Sequence, residues 1–175
     1  MPLGSLQSAV GRIVMANTTK TLAIATSLAV GLLIALEGYR AEPYVDIAGV
    51  LTECYGNTHG VDPKRPKTQE QCKALLTHEV GRIGQRIVRD QPNIPPKVLA
   101  AGISFVYNVG DGNYARSTFR RKLRQGDYAG ACEGLLLFNK YTDPKTGKLK
   151  FSKGLQNRRD KEYKLCLKGA SEVQP

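Results

Sequence analysis

The stretch Leu36–Gly56 reads LEGYRAEPYVDIAGVLTECYG, and it lies where the character of the chain changes. Before it, residues 22–36 (LAIATSLAVGLLIAL) are apolar around the whole helical circumference, with no charge between Lys20 and Glu37. Within it, Tyr44, Val45, Ile47, Val50, Leu51 and Tyr55 stand among turn-prone Pro43, Asp46, Gly49 and Gly56, which predicts a short β-hairpin. Glu37 then ends an apolar helix. Asp46 follows nine residues later in the hairpin turn, and Thr52 six residues after that in the second strand.

These positions differ in polarity. A carboxyl at the end of an apolar helix is expected to be desolvated, which favours its protonated form, whereas Asp46 in a wetter turn stays ionised. One acid and one base flanking a sugar linkage is the arrangement that glycoside hydrolysis requires. Glu37 would protonate the leaving oxygen, and Asp46 would activate water or stabilise developing positive charge. The Thr52 hydroxyl, both donor and acceptor, would hold that water in line. Spacing alone does not establish this. A Glu and an Asp so placed occur in most proteins, and two surface carboxylates would look the same.

Downstream, Thr68 with Gln71 three residues later matches a capping box. Leu75, Leu76, Val80, Ile83 and Ile87 follow at helical spacing, predicting a helix over 68–89. Pro92, Pro95 and Pro96 separate it from a strongly apolar helix over 98–109, which Gly110 and Gly112 break. Short helices are expected over 117–125 and 127–138, a turn over 143–147, and a last basic helix over 153–167. Helices with one small β element near the front make an α+β pattern.

The 175 residues suffice for one domain with a short extension. A formal net charge of +11 attracts polyanions without choosing among nucleic acid, anionic membrane and acidic wall polymer. Arg120, Arg121, Lys122 and Arg124 form a basic patch that reads first as a solvated face and second as a holder of anionic wall polymer. Cys54, Cys72, Cys132 and Cys166 lack zinc spacing, and two disulfides suit a chain whose N-terminus points to export. Three pairings are possible, of which Cys54 with Cys72 and Cys132 with Cys166 is preferred. The run over 22–36 is short for a transmembrane span. It reads as a cleaved signal peptide, a buried core helix or a weak signal anchor, and residues 1–14 look poorly structured. No His-Glu-x-x-His pattern, phosphate loop or Ser-His-Asp arrangement occurs, so neither a metal nor another cofactor is expected.

The string Leu36-Glu37-Gly38, Pro43-Tyr44, Asp46, Gly49-Val50, Thr52 and Tyr55-Gly56 closely resembles the phage-type lysozymes of glycoside hydrolase family 24. Their hallmark is Glu, eight residues, Asp, five residues, Thr. The resemblance continues through Ser104–Gly110, Gly112-Asn113, Ser117-Thr118, Gly126-Asp127, Gly154-Leu155 and Asn157-Arg158-Arg159. It implies a lysozyme-like fold, a small β lobe and a larger helical lobe joined by the helix over 68–89, with the cleft between them. It implies hydrolysis of the β-1,4 bond between N-acetylmuramic acid and N-acetylglucosamine in peptidoglycan, with inversion and carboxyl groups roughly 6.5–9.5 Å apart. Glu37, Asp46 and Thr52 become the catalytic residues. Tyr55, His59, Tyr107, Asn108 and Asn113 become candidates for the sugar groove, whereas His78 reads as a surface or half-buried residue of the connecting helix.

The apolar run abutting Glu37 resembles the signal-arrest-release endolysins. That implies an extension and signal anchor over 1–36 and a catalytic domain over 37–175. It implies transient inner-membrane association through residues 22–36, then action in the periplasm. The chain has no cysteine in the apolar run or at the Asp position, so control by membrane topology alone is expected. A monomer without a nucleic-acid partner is expected. The competing functions are a lytic transglycosylase and a basic, non-enzymatic binder of membranes or polyanions.

Overall fold

In the computed structural model, which describes residues 3–45 and 49–173, the apolar run is the C-terminal part of one long helix, α1 (Leu3–Glu37). The helix begins at Leu3, so the expectation of poor structure over 1–14 does not hold from there on. Ala25, Ala29 and Leu33, spaced one helical turn apart, are fully buried. They face α2 (Gln69–Asp90) and α3 (Pro96–Arg116). Small residues let the helices approach closely. At Gly84 of α2, a Cβ would stand 2.7 Å from Leu22 Cδ1. Ile24 and Leu28, on the other side of α1, remain exposed.

Gly38 ends α1. Its φ of 71° is the left-handed conformation that stops a helix and that glycine adopts without strain. The chain turns there into β1 (Arg40–Val45), which pairs antiparallel with β2 (Leu51–Cys54), Tyr44 opposite Thr52. This hairpin is the small lobe. The expected capping box opens α2: Gln71 N–H donates to Thr68 Oγ1 (3.2 Å) and Thr68 N–H to Gln71 Oε1 (2.9 Å).

The central helix α3 starts with Pro96 in its first turn and is buried on all sides from Val98 to Val106. Its break lies at Gly110 alone (φ 79°, ψ 164°), and Gly112 is helical, contrary to the expected double break. Around it pack α4 (Thr118–Arg124), α5 (Tyr128–Leu135) and α6 (Lys153–Ser171), N-capped by Ser117, Asp127 and Ser152. Part of the basic patch is structural. Arg120 donates twice to Asp90, at 2.8 Å each, and Lys122 pairs with Asp127 at 2.7 Å.

A second hairpin, β3 (Lys140–Thr142) and β4 (Leu149–Phe151), flanks the predicted turn and was not anticipated. Both disulfides have the preferred pairing. Cys54–Cys72 ties the small lobe to α2, and Cys132–Cys166 ties α5 to α6. Their sequence separations of 18 and 34 residues correspond, in the chain-entropy account, to about 3 and 4 kcal/mol of restriction on the unfolded chain.

Candidate active site

Glu37 is the last residue of α1, and Gly38 turns the backbone away from it, so the side chain stands at the junction of the two lobes. Its side chain is 23% exposed. Oε1 accepts a hydrogen bond from Arg158 Nη1 at 2.5 Å. Oε2 faces the turn that follows β2, 3.7 Å from where a Cβ on Gly56 would sit. Gly56 itself has φ 88°, a left-handed conformation that glycine adopts without strain. The environment is thus polar on one side, where the sequence suggested an apolar one.

Arg158 lies in the second turn of α6 and is itself buried. Besides Glu37 it donates Nε to Glu162 Oε1 (3.1 Å) and Nη2 to the carbonyl of Ser104 (3.2 Å). Ser104 Oγ completes the group by donating to Glu162 Oε1 at 2.7 Å. Arg159, fully buried, stacks over Phe105 at 5.2 Å, donates to Asn108 Oδ1 at 2.9 Å and pairs with Glu162 at 2.9 Å. Burial opposes both charges: it pulls the Arg159 guanidinium down to about 10 and pushes the Glu162 carboxyl up, each partly offset by the other's charge. A chain of charges therefore runs from the centre of the helical lobe to one oxygen of Glu37.

Thr52 is buried on β2, and its hydroxyl donates to the Val50 carbonyl at 3.0 Å. Asp46 lies outside the described residues, as do Ile47 and Ala48. Tyr107 Oη donates to the Tyr55 carbonyl at 2.7 Å, joining α3 to the small lobe beside Glu37. Burial, then the nearby Glu37 charge, pushes the Tyr107 phenol well above its ordinary value, so it stays a hydrogen-bond donor.

A cleft of about 680 Å³ opens between the small lobe, α2 and the end of α3. Gly56, Asn57 and His59 line one side, Tyr107 the floor, and His78, Glu79 and Arg82 the opposite wall. Arg82 bonds Glu79 (2.6 Å) and Asp111 (3.1 Å), fastening α2 to the segment after the Gly110 break, and it holds Glu79 below the usual carboxylate range. A second depression of about 420 Å³ lies by the end of α1 and the start of α6, lined by Leu36, Asn108, Leu155, Arg158 and Lys161 among others.

Of the expected groove residues, His59 and Tyr107 line the first cleft and Asn108 the second. Tyr55 does not reach either: its side chain is 1% exposed and packs on Tyr39. Asn113 lines neither and instead donates to the Val109 carbonyl (2.8 Å), bridging the Gly110 break. Arg158, Gly56 and the Glu79–Arg82 pair were not singled out for the site. Arg158 and Glu162, four apart on a predicted helix, were the available signal for the first of them.

A profile of the phage lysozyme family matches residues 34–162. The chain is 42% identical over 136 residues to the SAR-endolysin of Bacteriophage PS119, covering 77% of this chain and 78% of that one. It is 40% identical over 137 residues to the SAR-endolysin of Enterobacteria phage P21, covering 77% and 79%. Its fold is similar to the crystal structure of the active form of the P1 phage endolysin Lyz, with a TM-score of 0.70 at 26% identity over 90% of this chain and 97% of that one. With the family's profile covering most of the chain, from the end of α1 well into α6, this protein belongs to the phage lysozyme family.

Proposed function

We propose that the protein is an endolysin that hydrolyses the β-1,4 bond between N-acetylmuramic acid and N-acetylglucosamine. The observation that carries this reading is the division of labour between the two oxygens of Glu37. Oε1 is engaged by Arg158, which leaves Oε2, facing Gly56, as the atom that carries a proton to the leaving glycosidic oxygen. Fixing the carboxyl through one oxygen gives the other a defined direction, which is how positioning lowers a barrier. The glycan strand would lie in the cleft beside Gly56 and Tyr107. Asp46 would be the base for the attacking water and Thr52 its positioning hydroxyl, an arrangement that inverts the anomeric carbon. The test is product analysis of digested glycan strands. Hydrolysis leaves reducing N-acetylmuramic acid ends, and anhydro-muramic ends would replace this reading with a lytic transglycosylase.

The same reading gives α1 a second state, spanning the inner membrane with the catalytic domain in the periplasm. Met15–Glu37 is long and apolar enough to cross a membrane, and only 17% of its most apolar stretch is buried in the domain. A dedicated core helix would bury most of that surface, because exposed apolar area is unfavourable in water. In the spanning state Glu37 is at the bilayer boundary and cannot lie between Arg158 and Gly56, so the tethered enzyme is inactive. Washed membranes containing the protein are expected not to cleave added soluble glycan strands until the protein is released. Full activity in the membrane fraction would reject control by tethering.

A further inference from the structure

The unanticipated β3–β4 hairpin projects from the domain with its apolar side chains uncovered. Leu149 is 68% exposed and Phe151 57%, and Tyr141 and Leu137 are also exposed. The register pairs Lys140 with Phe151 and Thr142 with Leu149, which puts Phe151 and Leu149 side by side on one face, with Lys140 across from Phe151. Residues 140–153 contain five lysines and one acid, Asp143. That acid is consumed by the turn itself. Its carboxylate accepts the Lys145 and Thr146 amides (2.8 and 3.1 Å) and pairs with Lys150. Among the described residues, Lys140, Lys145 and Lys148 have no carboxylate partner.

We infer that this hairpin docks the protein on the surface of an anionic phospholipid bilayer. An aliphatic and an aromatic side chain standing together beside unpaired ammonium groups suit the boundary between headgroups and acyl chains. They suit a glycan poorly. A sugar's hydroxyls donate as well as accept, and on the hairpin strands and turn the one carboxylate or amide side chain that could accept from them, Asp143, is already occupied. The position agrees. The hairpin's base (Ser152, Gly154, Leu155) and the last turn of α1 (Ala35, Leu36) line the same depression. The hairpin therefore stands at the end of α1 where the chain would leave a bilayer. With α1 docked on the domain, the hairpin supplies a weak, salt-sensitive contact that keeps the released molecule at the membrane.

The chain contains no tryptophan, so Leu149→Trp in the full chain is a reporter for this site alone, separable from binding through α1. Vesicles of phosphatidylcholine containing phosphatidylglycerol are expected to shift its emission to the blue, and lipids brominated in the acyl chains to quench it. Phosphatidylcholine alone, or high salt, abolishes both effects. Glutamate at Lys145 and Lys148 together lowers affinity for the anionic vesicles at least about tenfold. Phe151→Trp, on the same face, gives the same readout should the first variant fail to fold. An unchanged emission while the protein sediments with vesicles would assign binding to α1 alone and overturn the inference. Failure to bind anionic vesicles, or an emission shift caused by soluble glycan strands and not by vesicles, would overturn it too. None of these outcomes bears on glycan hydrolysis, which the hairpin variants retain.

Discussion

Replacing Glu37 by glutamine is expected to lower glycan-strand hydrolysis about 100- to 10,000-fold while leaving the fold intact, because proton donation to a poor leaving group is typically worth 10²–10⁴ in rate. The amide preserves what Glu37 does for the structure. Its carbonyl oxygen can accept from Arg158 Nη1 as Oε1 does now, and its nitrogen takes the place of Oε2 beside Gly56. What it lacks is a proton it can give up. Exchanging a charge-assisted bond for a neutral acceptor, with Arg158 still paired to Glu162, changes stability by about 1–2 kcal/mol. Glu37→Asp separates chemistry from geometry. It keeps the acid but withdraws it by a methylene from the Arg158–Gly56 gap, and a large rate loss there as well would show that placement matters beyond acidity. Reducing ends released from purified wall, with the melting temperature measured alongside, decide the matter. Full-rate hydrolysis by the glutamine variant would remove Glu37 from the mechanism.

Much of this geometry was legible in the sequence because it rests on local rules. The change from an apolar run to turn-prone text at Glu37 predicts where α1 stops, Thr68 and Gln71 where α2 starts, and Pro96 the first turn of α3; the last two are backbone requirements met by one or two side chains. The spacing of Glu37 and Thr52 placed one at a helix end and the other on the second strand of a hairpin, where they are found. Other features depend on what the chain packs against. A run apolar all the way round does not say which face is covered, and only the fold selects Ala25, Ala29 and Leu33. Tyr55 looked like a groove residue, yet the turn that exposes Gly56 tucks its ring against Tyr39. The β3–β4 hairpin was hidden by its short strands and lysine-rich turn, which read as loop.

Arg158 was hardest to foresee, since its partners lie 121 and 54 residues away at Glu37 and Ser104, and its removal carries the second large expected effect. Arg158→Ala leaves Glu162 buried with fewer donors and frees Oε1 of Glu37. Breaking a buried ion pair by deleting one partner costs about 3–5 kcal/mol. Glu162 keeps Arg159 and Ser104, so the lower end, about 3 kcal/mol, is expected. Hydrolysis should fall further than instability explains, by roughly 100-fold in kcat at a temperature where the variant is fully folded, because the acid then has no fixed direction. Arg158→Lys distinguishes positioning from packing. One ammonium restores a buried positive charge near Glu162 but cannot reach Glu37, Glu162 and the Ser104 carbonyl together, as the planar guanidinium does. The lysine variant should therefore recover most of the melting temperature and little of kcat. If kcat returns in step with stability, Arg158 is only a strut of the helical lobe, and the direction of the Glu37 proton is set by something else.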